Sequence, residues 1–138
     1  MGQQQLLLII LGVIVVGIAV AVGITMFSDS AISANRDALT NDLVNLASRA
    51  QQFYRRPTSL GGGGNSFNLL TADAAGMKRL TNNASNANGT YTIALAGSGT
   101  GTAATMEILG VGTETYNAQL VSVRVKVWPD RDSIWVVN

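Results

Sequence analysis

The sequence predicts an α+β protein. A long N-terminal helix, apolar in its first half and amphipathic in its second, packs on a C-terminal antiparallel sheet of about four strands. Three observations predict it. Leu6–Phe27 runs for 22 residues without a charge. The segment that follows, SDSAISANRDALTNDLVNLASRAQQFYRR, has no Gly or Pro and repeats apolar residues at helical spacing. The last third alternates apolar and polar residues in short runs between turn-forming ones. The expected organisation is an apolar helix over 1–27, its amphipathic continuation over 28–56, and a connecting loop with the sheet over 57–138.

The opening MGQQQLLLIILG places three glutamines before the apolar run, with no Lys or Arg in front and Asp29 as the first charge. A secretory signal needs a basic n-region, a shorter apolar core and an A-x-A-like cleavage site. Ile24-Thr25-Met26-Phe27 offers no such site, so a removed signal fits poorly. Gly2 invites N-myristoylation, but Leu6 stands where that motif needs Ser or Thr. A spanning helix fits best, because 22 residues rise about 33 Å, enough for a bilayer core. In lipid the backbone must satisfy itself, which compels helix despite the β-branched Val13, Ile14, Val15 and Val16. Gly12, Gly17 and Gly23 mark places where another helix can approach closely.

The second half of the helix is defined by a stripe. Leu39, Leu43, Leu46, Ala50 and Phe53 recur at spacings of four and three, with Arg36, Asp42, Arg49 and Gln52 on or near the polar side. Pro57 disfavours helix at Arg56. One helix from Gln3 to Arg55 is about 80 Å long, of which a plain anchor needs only the first half. Gly61–Gly64 reads as a flexible loop. Thr71–Leu80 reads as a short helix capped by Thr71 or Asp73.

Four strands are expected after Thr81. Thr90–Ala96 places Tyr91, Ile93 and Leu95 on one face. Thr105–Leu109 is bounded by the turns GSGTG and GVG. Val121–Trp128 alternates most cleanly, with Val121, Val123, Val125 and Val127 against Ser122, Arg124 and Lys126. Pro129–Asp132 is turn chemistry, and Ser133–Val137 returns as the partner strand.

Composition bounds the function. The chain has 138 residues, with 9 Lys and Arg against 8 Asp and Glu, so charge implies no nucleic-acid partner. It has no Cys, hence no disulfide, thiolate metal site or thiol nucleophile. It has no His, which removes the commonest general base and metal ligand. An enzyme is not expected, and no catalytic, cofactor-binding or metal residue is assigned. The carboxylates are scattered, and the close pair Asp130 and Asp132 falls short of a Ca²⁺ loop. Gly61–Gly64 lacks the Lys-Ser/Thr ending of a phosphate loop.

The whole layout resembles the type IV pilin superfamily, which includes bacterial and archaeal pilins and the pseudopilins of type II secretion. The resemblance rests on the apolar segment, its seamless amphipathic continuation, the connecting loop and the C-terminal sheet. It implies a structural major subunit. The apolar helix would sit in the cytoplasmic (inner) membrane before the pilus assembly machinery acts. It would then pack with its copies in the core of an extracellular helical filament, a cell-surface fimbrium with the sheet domains outside. The assembly helix would use Gln3, Gln4, Gln5, Gly12, Ile14, Gly17, Gly23 and Phe27. The family's carboxylate at the fifth mature position is replaced by Gln5, or by Leu7 if Gln3 comes first, and the cysteine-closed loop of many bacterial pilins is absent. Gln3, Gln4 and Gln5 can satisfy one another across subunits where a lone carboxylate would need a cation. The alternative is a single-pass membrane-anchored binding domain or a secretion-system pseudopilin.

Three further patterns have competing readings. Asn83-Ala84-Ser85 and Asn88-Gly89-Thr90 match the glycosylation acceptor pattern, though such matches also arise by chance in Asn/Ser/Thr-rich stretches. Arg55-Arg56 and Lys78-Arg79 would suit a DNA-capturing surface, but cations at helix C-terminal ends complement the dipole, which is the favoured reading. Phe27, Phe53, Tyr54, Trp128 and Trp135 are read as packing rather than an electron-conducting row.

Overall fold

The structure, a computed structural model, describes residues 2–138. Helix α1 runs unbroken over Gly2–Arg55. Every residue from 2 to 30 is exposed, and burial begins around Ile32. From there Leu39, Leu43, Leu46, Ala50 and Phe53 turn inward, joined by Ala47 and Tyr54. The stripe thus sits where its spacing places it.

The helix ends in a turn built from glycines. Gly63 N–H donates to Phe53 O at 2.8 Å, Gly64 N–H to Arg56 O at 3.0 Å, and Asn65 N–H to Tyr54 O at 2.7 Å. These bonds satisfy carbonyls that the last turn leaves free. A Cβ at Gly63 would overlap Ser66 O, and Gly64 has φ +57. The run is therefore a close-packed cap for α1, not the flexible loop its composition suggests.

Helix α2 covers Ala74–Leu80. Asp73 caps it: its Oδ1 accepts from Gly76 N at 2.7 Å and from Thr71 Oγ1 at 2.6 Å. Thr71 therefore supports the cap without being it.

The sheet is an antiparallel meander in the order β1-β2-β3-β4. Its strands are β1 (Gly89–Ser98), β2 (Thr105–Tyr116), β3 (Gln119–Val127) and β4 (Asp132–Val136). The second half of α1 lies mainly across β2 and β3, while α2 flanks β1. Val121, Val123, Val125 and Val127 are fully buried, as are Met106 and Ile108 opposite them on β2. The outer face carries Glu107, whose carboxylate pairs with Arg124 at 3.3 Å and Lys126 at 3.7 Å.

Two strands depart from their local pattern. Tyr91 and Ile93 are buried as expected, but Leu95 is 46 % exposed. The register shifts between Ile93 and Leu95, which ends the alternation. Strand β2 does not stop at Leu109. It continues through Gly110-Val111-Gly112, where the local sequence alone places a turn. A Cβ at Gly110 would lie 3.0 Å from the Tyr91 ring, and one at Gly112 would overlap Asn35 Oδ1. These glycines make room for neighbours and break no strand.

Strands β2 and β3 join through Asn117 and Ala118, with φ of 50 and 63. Two positive φ values in a two-residue hairpin are the I′ geometry, whose second position favours Gly. Ala118→Gly is expected to raise stability by about 1 kcal/mol by relieving that strain. An unchanged or lower denaturation midpoint would contradict it. Val125→Asp buries an unpaired charge and should cost about 3 kcal/mol or more. Arg124→Gln, on the outer face, should cost about 1 kcal/mol or less. Equal melting temperatures for the two variants would refute the assigned faces.

Candidate functional site

The largest feature without an internal partner is the first half of α1. It is long and apolar enough to cross a membrane, and none of its apolar window is buried. Ile14 is 53 % exposed and Phe27 79 %. Thr25, the one hydroxyl in the apolar run, turns its Oγ1 back onto Ala21 O at 2.8 Å. The run therefore presents little polar surface apart from its first turn, where Gln3, Gln4 and Gln5 are exposed.

Gly12, Gly17 and Gly23 all face open space. Gly12 and Gly23 are eleven residues apart, so they fall within about 20° of one another around the axis. Ala19 lies on the same side. Gly17 is about 140° round from Gly12, with Ala21 one turn further on. Small residues on two faces let other helices approach from more than one direction.

The sheet domain holds no comparable chemistry. Among the described residues no three His, Cys, Asp or Glu side chains group together for a metal. Asp130, in the turn before β4, and Asp132, the first residue of β4, are both exposed, and Arg131 between them stacks on the Trp128 ring at 4.9 Å. The structure brings one residue of each basic pair to a common cleft, while Arg55 donates to Pro129 O at 3.4 Å and Lys78 lines a different cavity. Arg56 and Arg79 line a cleft of about 270 Å³ with Arg49 and Gln52, over Phe53 and Leu80. The C-terminal turns of α1 and α2 meet there, and Arg49 donates to Leu80 O, the last residue of α2, at 3.3 Å. The cations thus offset two negative helix ends, which accounts for their gathering. The aromatic residues do not form a row. Tyr54 packs on Phe67 at 5.0 Å inside the domain, and Trp135 is on the outer edge strand.

A polar cluster that the sequence does not announce joins α1 to β1. Asp42 Oδ2 accepts from Asn86 Nδ2 and Asn88 Nδ2, both at 2.9 Å, and from the Tyr91 hydroxyl at 2.5 Å. Burial alone would raise the Asp42 pKa, but the three donors outweigh it and hold the carboxyl below its ordinary range. The Tyr91 hydroxyl is pushed up, first by burial and then by the Asp42 bond and charge. Two turns earlier, buried Asn35 donates to Asn88 O at 2.8 Å and accepts from Thr113 N at 3.2 Å. Asn83 is exposed, whereas the Asn88 amide of the second acceptor motif is occupied by Asp42.

A scan against protein-family models and searches of curated proteins and solved structures return no match to this chain.

The signs of the two shifts set a pH window. Lowered in the fold, Asp42 contributes stability above its ordinary value of 3.8, and that contribution is lost as pH falls through its lower folded value. Raised in the fold, Tyr91 contributes stability below its ordinary value of 10.0, and that contribution is lost as pH rises beyond it. Tyr91→Phe should cost about 1.5 kcal/mol at neutral pH and flatten the alkaline decline. Melting curves of this variant that still track wild type above pH 10.0 would contradict the assignment.

Proposed function

We propose that this chain is the major structural subunit of a type IV pilus-like extracellular filament. The apolar half of α1 resides in the membrane first and is then buried among its copies, and the sheet domains form the outer surface. One observation carries the reading. A single continuous helix commits its second half to the sheet and leaves residues 2–30 exposed on all sides. A membrane anchor requires only a span. A rigid helix of about 80 Å fixes the domain relative to the span, which a repeating assembly needs. Small residues on two faces of the apolar half suit a helix surrounded by several others. The absence of His and Cys fits a protein that supplies surface and not catalysis.

Ile14 tests assembly separately from insertion. It lies near the middle of the apolar run, where an Arg cannot easily reach water. Membrane insertion of Ile14→Arg costs only about 2.5–3.5 kcal/mol on translocon scales, so the subunit should still enter the bilayer. Bringing many copies together would gather like charges at one axis with nothing to hydrate them. Ile14→Arg should leave membrane-bound subunit but no filaments, while Ile14→Leu should leave both. Normal filament numbers with Ile14→Arg would favour a membrane-anchored domain that stays single.

A further inference from the structure

Asn88-Gly89 is the only Asn-Gly pair in the chain. In an open chain this dipeptide rearranges readily. The Gly amide nitrogen gives its proton to solvent and its electron pair attacks the Asn side-chain carbonyl carbon. The bond to the side-chain nitrogen breaks and ammonia leaves. The five-membered imide then takes up water and opens to aspartate or isoaspartate. Gly permits this best because it places no side chain beside the attacking nitrogen and leaves the backbone free to turn.

In the folded chain each reacting group is engaged elsewhere. Gly89 N–H, the attacking group, donates to Asn86 Oδ1 at 3.1 Å. The Asn88 carboxamide is pinned through Nδ2 to Asp42 Oδ2 at 2.9 Å. Its backbone is held from both sides: Asn88 N–H donates to Asn86 Oδ1 at 2.9 Å, and Asn88 O accepts from Asn35 Nδ2 at 2.8 Å. Asn86 is held in turn, its N–H on Gly89 O and its Nδ2 on Asp42, both at 2.9 Å. Gly89 is buried against β2, and a Cβ there would overlap Val111 O. The fold therefore requires the residue that makes Asn88 reactive, and it surrounds the pair with partners that prevent the reaction.

We propose that Asn88 is a fold-gated modification site. It stays an amide while Asn35 and Asp42 hold α1 to the start of β1, and it converts to aspartate or isoaspartate once that junction opens. Conversion is one-way and it opposes reclosure. A carboxylate at position 88 replaces the donor that faces Asp42 with a like charge, and isoaspartate adds a backbone carbon to a turn with no slack. A subunit that opened for long is thereby marked and kept open.

The test uses the full chain in detergent micelles at mildly alkaline pH, with and without urea. The mass of the Asn88 peptide reports conversion of amide to acid. The folded chain should convert at least about tenfold more slowly than the unfolded chain, because reaction requires opening. Folded Asn86→Ala, which frees Gly89 N–H, should convert faster than folded wild type, with its fold checked by circular dichroism. If Asn86→Ala does not fold, hydrogen exchange at Gly89 in wild type replaces it, and slow exchange is expected. Asn88→Asp should melt below wild type. Equal conversion of folded and unfolded wild type would overturn the gate. Fast exchange at Gly89, or unchanged conversion in folded Asn86→Ala, would overturn the role of Asn86. Wild-type melting of Asn88→Asp would overturn the one-way consequence.

Discussion

One seam organises the molecule: the inward stripe of α1 against the buried valines of β3 and their neighbours on β2. Leu39, Leu43 and Ala50 are fully buried, as are Val121, Val123, Val125 and Val127. Each large aliphatic side chain in such a seam contributes about 1.5–3 kcal/mol of apolar transfer, before the entropy of ordering the chain is charged against it. No disulfide or metal ligand of the thiolate or imidazole type is available, since the chain has neither Cys nor His. The seam therefore fixes where the sheet sits. It also dictates where burial stops. Below Ile32 the same helix continues with no sheet to meet, and its apolar surface must find another solvent.

Polar contacts at the edges of the seam set its register. Asn35 binds β2 through Thr113 N and the turn before β1 through Asn88 O. Asp42 gathers Asn86, Asn88 and Tyr91 from that turn and from β1. Such a cluster is worth little if half satisfied and much if complete. Here the glycines at 110 and 112 complete it, by leaving room for the Tyr91 ring and the Asn35 side chain. At the other end Gly63 and Asn65 fold back onto the last carbonyls of α1. The packed half of the helix is thus tied at both ends, and residues 2–30 have no tie at all.

Much of this was legible in the sequence, and the remainder had definite physical causes. The continuous helix, its stripe and the alternation of Val121–Val127 are periodic signals carried by many residues, so each survives intact in the structure. Glycine is where local pattern and structure part. Gly110 and Gly112 read locally as a turn, and Gly61–Gly64 as slack, yet each site is occupied by a neighbour distant in sequence or by a helix end. A glycine chosen for space looks the same in one dimension as a glycine chosen for flexibility. Leu95 leaves its alternation for a related reason, because the register shift that turns it outward depends on pairing with β2. Asp42 was readable only as a polar-face residue. Its partners lie 44 to 49 positions away and follow no motif. Of the proposed assembly residues, the exposure of Gly12, Ile14, Gly17, Gly23 and Phe27 follows directly from the apolar run.

The central claim is that the exposed half of α1 is made to be buried among its own copies. Electron cryomicroscopy of material sheared from the surface of cells that produce this chain, with mass spectrometry of its protein, tests it most directly. The account predicts filaments composed of this subunit, with a core of parallel helices formed by residues 2–30 and sheet domains around it. Finding the chain only as separate subunits in the membrane fraction, with no filament containing it, would contradict that claim.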